Sequence, residues 1–348
     1  MEFRRRFTGH NRRIKLKSIF LTEMPWDSRK VGKLPRTYKN MRVEFAWMIA
    51  LNADHVTANL YDTVEGYDSV FVILPKLKTK LSADASPLPV NITNPLAEWY
   101  NPEIIKNLKS KNKKVYIIQE GPNWMFNDYE ITEQFNYYAC LLSADGILVH
   151  NEIDKKFFNG ILLGNIPVNV IPTVMIDDLL IDIKPSPDDT TLIGGNFSRW
   201  YGGFQSYIVA RSLGQPIFAQ TSHSTRTHET MIDDITHMER LEWVDWMKRM
   251  SKFKTAVHLM PTVAAGTFSL NCAYFGIPCI GNKDVDTQKC CNPELSVDVN
   301  DVESAIKLAI RLRDDSDFYQ ECSNTSKNMY NTHYTETVWK SKMERILL

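Results

Sequence analysis

Residues 255–281 read TAVHLMPTVAAGTFSLNCAYFGIPCIG, and their pattern decides the fold. The apolar run at 255–259 predicts a buried strand. A small-residue loop then leads into a helix at 268–275, and a G-x-P entry leads into a further strand at 278–281. Strand, helix and strand in this order form a βαβ unit, whose two strands lie parallel. The segment therefore predicts a parallel sheet covered by helices.

The same alternation extends outward to both ends of the chain. Further strands are predicted at 17–22, 69–74, 115–119, 146–150, 168–171, 191–194 and 216–219. Further helices are predicted at 38–52, 102–111, 131–143, 154–162, 203–213, 241–250 and 302–313. The segment 318–345 is predicted to be largely helical and to pack across the outside.

A chain of 348 residues is long for one hydrophobic core and predicts two domains. Acidic residues and two prolines at 177–190 cannot continue a helix or a central strand, so the linker is predicted there. We expect two α/β domains with Rossmann-like, doubly wound sheets, at 1–180 and 181–335, which face a central cleft. A C-terminal helix at 336–348 would be free to cross back to the first domain.

Composition excludes several classes of protein. Forty-one basic residues balance forty-one acidic ones, so no whole-surface attraction to nucleic acid or anionic membrane is indicated. The six cysteines form no C-x-x-C pair, which favours reduced thiols over a zinc site. No apolar run is long enough to span a bilayer, and the basic start of the chain lacks the apolar core of a signal peptide. We therefore expect a cytoplasmic protein with no membrane span, and the oligomeric state stays open.

The first segment with chemical content is Leu192–Arg199, LIGGNFSR. A strand ends there in Gly194 and Gly195, which allow a ligand to approach the backbone closely. Ser198 adds a hydroxyl donor and Arg199 a guanidinium suited to phosphate oxygens. The alternative is a tight turn with a solvated arginine.

The second segment is the loop that ends at Gly266, Thr267 and Phe268. A helix begins there, and the free N–H groups of a helix N-terminus favour an anion. Two such loops in one domain would hold the two phosphates of a diphosphate.

The run from Ala256 through Gly266 to Pro278 resembles the donor-binding core of GT-B glycosyltransferases. Within that fold, Gly194 to Arg199 and the later Val285-Asp286-Thr287-Gln288 resemble the phage DNA β-glucosyltransferases. The resemblance covers about residues 190–335. It implies that the donor diphosphate contacts two groups of residues, namely Gly194, Gly195, Asn196, Ser198 and Arg199 on one side and Gly266, Thr267 and Phe268 on the other.

The chain departs from the pattern of many retaining GT-B enzymes, which carry two glutamates eight residues apart. Val263 and Asn271 stand at those positions. Asn271 could take over a ribose contact, and we expect an inverting reaction. Asp284-Val285-Asp286 spells a D-x-D motif, but we interpret it as a solvated loop and predict no metal site.

Inversion requires a base that deprotonates the acceptor hydroxyl. Glu120 directly follows the predicted strand at 115–119, and the resemblance assigns a catalytic carboxylate to that strand end. Asp128 in the same loop and His150 at the end of another strand are the rival candidates. The alternative for Glu120 is a brace of the Gly121–Pro122 turn.

The acceptor is not specified by the sequence. The basic loop 23–38, with Arg42, would suit a phosphate-bearing acceptor such as hydroxymethylated DNA, whereas the neutral net charge favours a saccharide or small molecule. Trp124 and Phe126 could stack on a sugar or a base, and the alternative is that they pack on their own domain. The expected activity is transfer from a UDP- or GDP-sugar without a tightly bound cofactor. A nucleotide-sugar epimerase and a non-catalytic nucleotide-binding module are the alternatives.

Overall fold

The computed structural model of the chain describes residues 16–22, 31–38, 41, 43–74, 101–119, 121–128, 131–197, 199–220 and 232–348. These residues form two mainly parallel sheets, each flanked by helices. The predicted α/β class with two doubly wound domains is therefore confirmed. No helix among the described residues has the length and apolar character that crossing a bilayer requires.

The first sheet takes its strands from the N-terminal half of the chain. They are β1 (Ser18–Thr22), β2 (Gly32–Lys33), β3 (Asp54–Thr57), β4 (Ser69–Leu74), β5 (Val115–Gln119), β6 (Gly146–Val149) and β7 (Val168–Val170). Their order is β2-β3-β1-β4-β5-β6-β7, and all pairs are parallel except β2 with β3. The helices of this half are α1 (Val43–Leu51), α2 (Pro102–Lys111), α3 (Ile131–Ser143) and α4 (Glu152–Ile161).

The second sheet takes its strands from the C-terminal half. They are β8 (Asp188–Asn196), β9 (Ile217–Gln220), β10 (Ile235–Met238), β11 (Phe253–His258), β12 (Cys279–Asn282) and β13 (Ser296–Val297), in the order β10-β9-β8-β11-β12-β13. Its helices are α5 (Gly203–Arg211), α6 (Trp243–Met250), α7 (Thr267–Phe275), α8 (Asp286–Cys291), α9 (Val302–Asp314), α10 (Ser316–His333) and α11 (Glu336–Leu347).

Each sheet buries apolar side chains on both faces, as a parallel sheet covered by helices requires. In β1, Ile19 and Leu21 point to one core, and Phe20 points to the other. In β8, Leu192 and Ile193 likewise belong to different cores. This alternation explains why the central strands read as continuous apolar runs.

The C-terminal helix α11 packs against the first domain. Trp339 is buried beside Trp47 of α1, and both indole Nε1–H groups donate to the carbonyl oxygen of Pro172. The segment 318–345, predicted to be largely helical, consists of α10 and α11, which are separated at Tyr334 and Thr335, where the Thr335 hydroxyl accepts a hydrogen bond from Val338 N–H. One face of α11, with Trp339, Met343 and Leu347, is buried in a core of the first domain.

The structure differs from the prediction at the end of the predicted linker, 177–190. Residues 188–190 belong to β8 and not to an irregular connection. The acidic start of this strand is compatible with a sheet because Asp189 accepts hydrogen bonds from Lys254 and from Gln215, which lie beside it. The negative charge that favoured a linker is thus compensated by its neighbours.

The two sheets point the carboxyl ends of their strands at each other. Glu152, just after β6, donates its N–H to Asp286, which follows β12, at 2.9 Å. Thr173, after β7, accepts a 3.4 Å hydrogen bond from Thr267, which follows β11. In α/β folds the ligands bind beyond these strand ends, so the gap between the domains is where a site is expected.

Candidate functional site

Gly194 and Gly195, in the first predicted diphosphate segment, form a bulge in β8. Ile193 pairs with Ala219, and the next pair joins Asn196 to Gln220, so Gly194 and Gly195 are two extra residues on β8. Gly195 has a φ of +71°, in the left-handed region that favours glycine. The bulge leaves Gly194 and Gly195 unpaired with β9, and pairing resumes at Asn196.

Two helices begin near this bulge without a side-chain cap. Gly202 precedes α5 and Gly266 precedes α7, both with a left-handed φ, and among the described residues no side chain accepts a hydrogen bond at either N-terminus. Five other helices are capped by Asn101, Asn151, Asp301, Asp315 and Thr335, whereas α6 and α8 also lack a side-chain cap. The N–H groups at the start of α5 and α7 therefore stay available for an anion.

The bulge and both helix starts lie together. A Cβ on Gly194 would be 2.6 Å from ring atoms of His258 and of Phe268, the second residue of α7. A Cβ on Gly202 would be 1.8 Å from the carbonyl oxygen of Leu259, which follows β11. The two predicted diphosphate loops are thus adjacent, and only glycine fits at these contacts.

Hydrogen bonds fix the loop that follows β11. Leu259 N–H donates to the Ser206 hydroxyl of α5 at 2.9 Å, and the Asn282 side chain donates to the carbonyl oxygen of Met260 at 2.9 Å. At the far end of the loop, the Thr287 hydroxyl donates to the carbonyl oxygen of Gly266 at 2.8 Å. The loop is therefore preorganised by side chains from three different elements.

His258 lies beneath these loops as a neutral imidazole. Its ring stacks on Tyr201 and contacts the edge of Phe268, and its Nε2 is enclosed with no hydrogen-bond partner among the described residues. Burial lowers the pKa of His258 to about 4, because the charged form would lose its hydration. Sequence reasoning missed this residue, which resembles any polar residue at a strand end.

The other candidate donor residues are partly described. Ser198 lies outside the described residues, as do the side chains of Asn196 and Arg199, whose backbones end β8 and begin a short 3-10 helix, Arg199–Tyr201. Asn271 lies on the buried face of α7, and its Oδ1 has no hydrogen-bond partner among the described residues. The roles of these four residues stay predictions.

The candidate bases belong to the first domain. Glu120 lies outside the described residues, and so does the side chain of Asp128, which ends the 3-10 helix Asn123–Asp128. His150 follows β6, is buried, and packs edge-on against Trp47 at 5.1 Å between ring centres. None of the three roles is tested by these positions, so all three stay predictions.

A buried carboxylate organises the loop that follows β5. Asp154 accepts hydrogen bonds from Asn123 N–H at 2.8 Å and from the Asn151 side chain at 2.6 Å. Burial raises the pKa of Asp154 to about 6, although these hydrogen bonds favour the charged form. Through these hydrogen bonds, Asp154 holds the 3-10 helix Asn123–Asp128 against the N-terminus of α4.

This 3-10 helix brings a tryptophan to the second domain. Trp124 stacks on the half-exposed Trp200 with 5.5 Å between ring centres and an interplanar angle of 15°. Phe126 instead packs edge-on against Tyr137 and Phe157 in its own domain, which is the alternative that the sequence left open for it. The two tryptophans lie next to the Gly194–Arg199 loop.

Of the predicted acceptor loop at 23–38, residues 31–38 are described, and residues 23–30 lie outside the described residues. Arg36 forms a two-pronged hydrogen bond with Asp178 and another with Glu336 of α11, at 2.7 to 3.0 Å. These contacts raise the pKa of Arg36 and fix the loop to α11. Arg36 is therefore a structural cation, and Arg42 lies outside the described residues.

The D-x-D segment is not simply a solvated loop. Asp284 is exposed, whereas Asp286 is half-buried at the start of α8 and accepts the interdomain hydrogen bond from Glu152. The solvated-loop interpretation was therefore wrong for Asp286, because the first domain approaches it. Among the residues that the structure describes, no three His, Cys, Asp or Glu side chains converge as metal ligands would.

Comparisons with known proteins locate the fold. The chain matches an α-glucosyltransferase solved with UDP and a 13-mer DNA containing an HMU base, with a TM-score of 0.61, 12% identity, and coverage of 95% of this chain and 98% of that one. It matches HepE of Anabaena, solved with UDP and glucose, with a TM-score of 0.64, 9% identity and coverage of 95% and 99%.

A third match is TarM of S. aureus, solved with UDP, fondaparinux and α-GlcNAc-glycerol, with a TM-score of 0.57 and 10% identity. The alignment covers 83% of this chain, which spans 58% of the TarM chain. No family model and no curated protein matches the sequence. The three solved structures are GT-B glycosyltransferases, so the predicted GT-B fold is confirmed.

Proposed function

We propose that the chain is a glycosyltransferase that binds a UDP-sugar through its C-terminal domain and transfers the sugar to an acceptor hydroxyl. The observation that carries this proposal is the pair of uncapped helix N-termini, α5 and α7, beside the Gly194–Gly195 bulge. Their N–H groups are suited to the two phosphates of a nucleoside diphosphate. The UDP in the solved GT-B neighbours supports the choice of donor.

The proposed mechanism stabilises the leaving group electrostatically. Loop N–H groups and Arg199 would carry the charge that develops on the departing diphosphate, with no tightly bound metal or cofactor. Glu120 is the leading candidate for the base, with Asp128 and His150 as rivals. Contact between the two domains would exclude water, so that transfer proceeds faster than hydrolysis.

For the acceptor, we propose a saccharide or small-molecule hydroxyl. The neutral net charge and the engagement of Arg36 with two carboxylates both weaken the case for a polyanion. Hydroxymethylated DNA is the alternative, supported by the neighbour that was solved with DNA containing an HMU base. Duplex binding that falls steeply with salt would favour the DNA alternative.

The stereochemical outcome is a separate prediction. Asn271 in place of a glutamate predicts inversion, which would give a β-linked product from an α-linked UDP-sugar. The α-glucosyltransferase name of one neighbour favours retention instead. The anomeric coupling constant in the NMR spectrum of the product decides between them, and an α-linked product overturns the prediction of inversion.

The test is a panel of UDP- and GDP-sugars, each followed for nucleoside diphosphate release with saccharide acceptors, with hydroxymethylated DNA and with no acceptor. Acceptor-dependent release supports the proposal. An isomerised nucleotide sugar formed without acceptor would identify an epimerase, and UDP binding without turnover would identify a binding module. Arg199→Ala should abolish most of the turnover, whereas Arg211→Ala, at the far end of α5, should not.

A further inference from the structure

Three successive side chains at the start of α8 reach three different parts of the molecule. Asp286 accepts a hydrogen bond from Glu152 N–H in the first domain, at 2.9 Å. Thr287 donates to the carbonyl oxygen of Gly266, at 2.8 Å. Gln288 is buried and donates to a carbonyl oxygen of β12 at 2.7 Å, which anchors the helix to the second sheet.

Asp286 adds an acceptor from one domain to the N-terminus of a helix of the other, α4, which already has Asn151 as its cap. Glu152 is the first residue of α4, and a carboxylate is favoured there because the helix N-terminus carries a partial positive charge. The same first turn of α4 contains Asp154, which holds the loop of Asn123 and Trp124. The contact of Asp286 with α4 therefore affects the position of the segment that contains Trp124, which stacks on Trp200 of the second domain.

Thr287 determines the conformation at the start of α7. It is 2% exposed, and its hydroxyl lies 2.7 Å from that of Ser269 as well as donating to Gly266. A Cβ on Gly266 would lie 1.9 Å from the Thr287 hydroxyl oxygen. Thr287 therefore contacts Gly266 directly and stabilises its left-handed conformation at the N-terminus of α7.

We propose that Asp286 and Thr287 are positioning residues that couple contact between the domains to the conformation of the Gly266 loop. Engagement of Asp286 by α4 holds α8 where Thr287 fixes Gly266, and release of α4 loosens the loop. The two residues are adjacent in one short helix, so they move together. The consequence for catalysis rests on the proposed function, whereas the mechanical coupling does not.

Hydrogen exchange in the ligand-free protein tests the coupling without any activity. Asp286→Ala should raise amide exchange by about three- to tenfold in two separate peptides, the first turn of α4 and the 262–268 loop. Asp286→Asn keeps an acceptor oxygen and should give a smaller rise. Asp284→Ala removes a nearby exposed carboxylate and should change neither peptide.

A reciprocal variant completes this test. Thr287→Val should raise exchange in the same two peptides, and Thr287→Ser, which keeps the hydroxyl, should restore protection. The proposal is overturned if Asp286→Ala changes only α4, because the two contacts would then be independent.

The catalytic consequence is a change in how the donor is used. Asp286→Ala should raise the ratio of donor hydrolysis to transfer by about three- to tenfold, because the less closed cleft admits water, whereas a loss of folded protein would lower both rates equally. An unchanged ratio contradicts the proposal. If the wild type releases no UDP from any donor, the proposed function fails, but the exchange experiment still decides the coupling.

Discussion

At the scale of single residues, glycines define the candidate site. Gly266 and the remote Gly66 have nearly the same φ, +67° and +71°, but only Gly266 is surrounded by atoms that a Cβ would meet. The pair therefore separates the cost of the left-handed backbone from the cost of crowding.

We predict that Gly66→Ala lowers the free energy of unfolding by about 1–2 kcal/mol, the cost of a left-handed alanine. Gly266→Ala should cost about 1–3 kcal/mol more, because its Cβ overlaps Thr287. It should also weaken UDP binding, which Gly66→Ala should leave unchanged. Urea denaturation and calorimetric titration measure the two effects, and equal losses of stability in the two variants would contradict the prediction.

Asp154 makes stability depend on pH. Its folded pKa of about 6 lies above its ordinary value, so its favourable contribution is complete below about pH 4 and is lost as the pH rises through about 6. The free energy of unfolding of the wild type, minus that of Asp154→Asn, should fall by up to about 3 kcal/mol from pH 4 to pH 7.

Denaturation series at several pH values measure this difference. The matched control is Asp182→Asn, which makes the same substitution at an exposed position. A flat difference for Asp154→Asn would mean that its carboxylate is solvated in the folded protein.

At the scale of elements, the uncapped N-terminus of α5 can be tested by one charge. Gln205 is exposed in the first turn of this helix. Gln205→Glu should stabilise the fold by about 0.3–1 kcal/mol, because a negative charge there compensates the helix dipole. The same charge should weaken UDP binding by repelling the diphosphate.

The prediction is specific because one substitution should raise the stability of the fold and lower the affinity for UDP. Gln320→Glu adds the same charge on α10 and should weaken UDP binding much less. Thermal denaturation and calorimetric titration give the two quantities. Unchanged UDP affinity in Gln205→Glu would place the diphosphate away from α5.

Sequence predicted the elements whose signals are local. The strand β4, with five consecutive apolar residues after Ser69, and the helices α2 and α3 were predicted with their observed bounds. The strands β3 and β10 were missed, because DHVT and ITHM are short and half polar, and α8 was missed because DTQKCC has no apolar period.

The residues of the candidate site also differ in whether a local sequence signal predicts them. Gly194 and Gly266 could be predicted, because a glycine after a strand and before a helix is a local signal. His258, Asp286 and Trp200 could not, because their roles depend on which strands are neighbours and on how the two domains meet.

At the scale of the whole molecule, α11 joins the end of the chain to the first domain. Trp339→Ala should lower the free energy of unfolding by about 3–5 kcal/mol, since it opens a large cavity beside Trp47. Trp339→Phe keeps much of the volume but loses the hydrogen bond to Pro172, at a cost of about 1–3 kcal/mol. Urea denaturation followed by circular dichroism measures both, and wild-type stability in Trp339→Ala would show that α11 contributes little.

The central claim is that the second domain holds a diphosphate on backbone N–H groups beside its glycines. The most direct test is the NMR spectrum of protein labelled with ¹⁵N-glycine, which has fifteen glycines, titrated with UDP and with uridine. We predict that UDP shifts the signals of Gly194, Gly195, Gly203 and Gly266, that uridine does not, and that Gly66 is unaffected by either. Signals of these four residues that stay fixed while UDP binds would contradict the account.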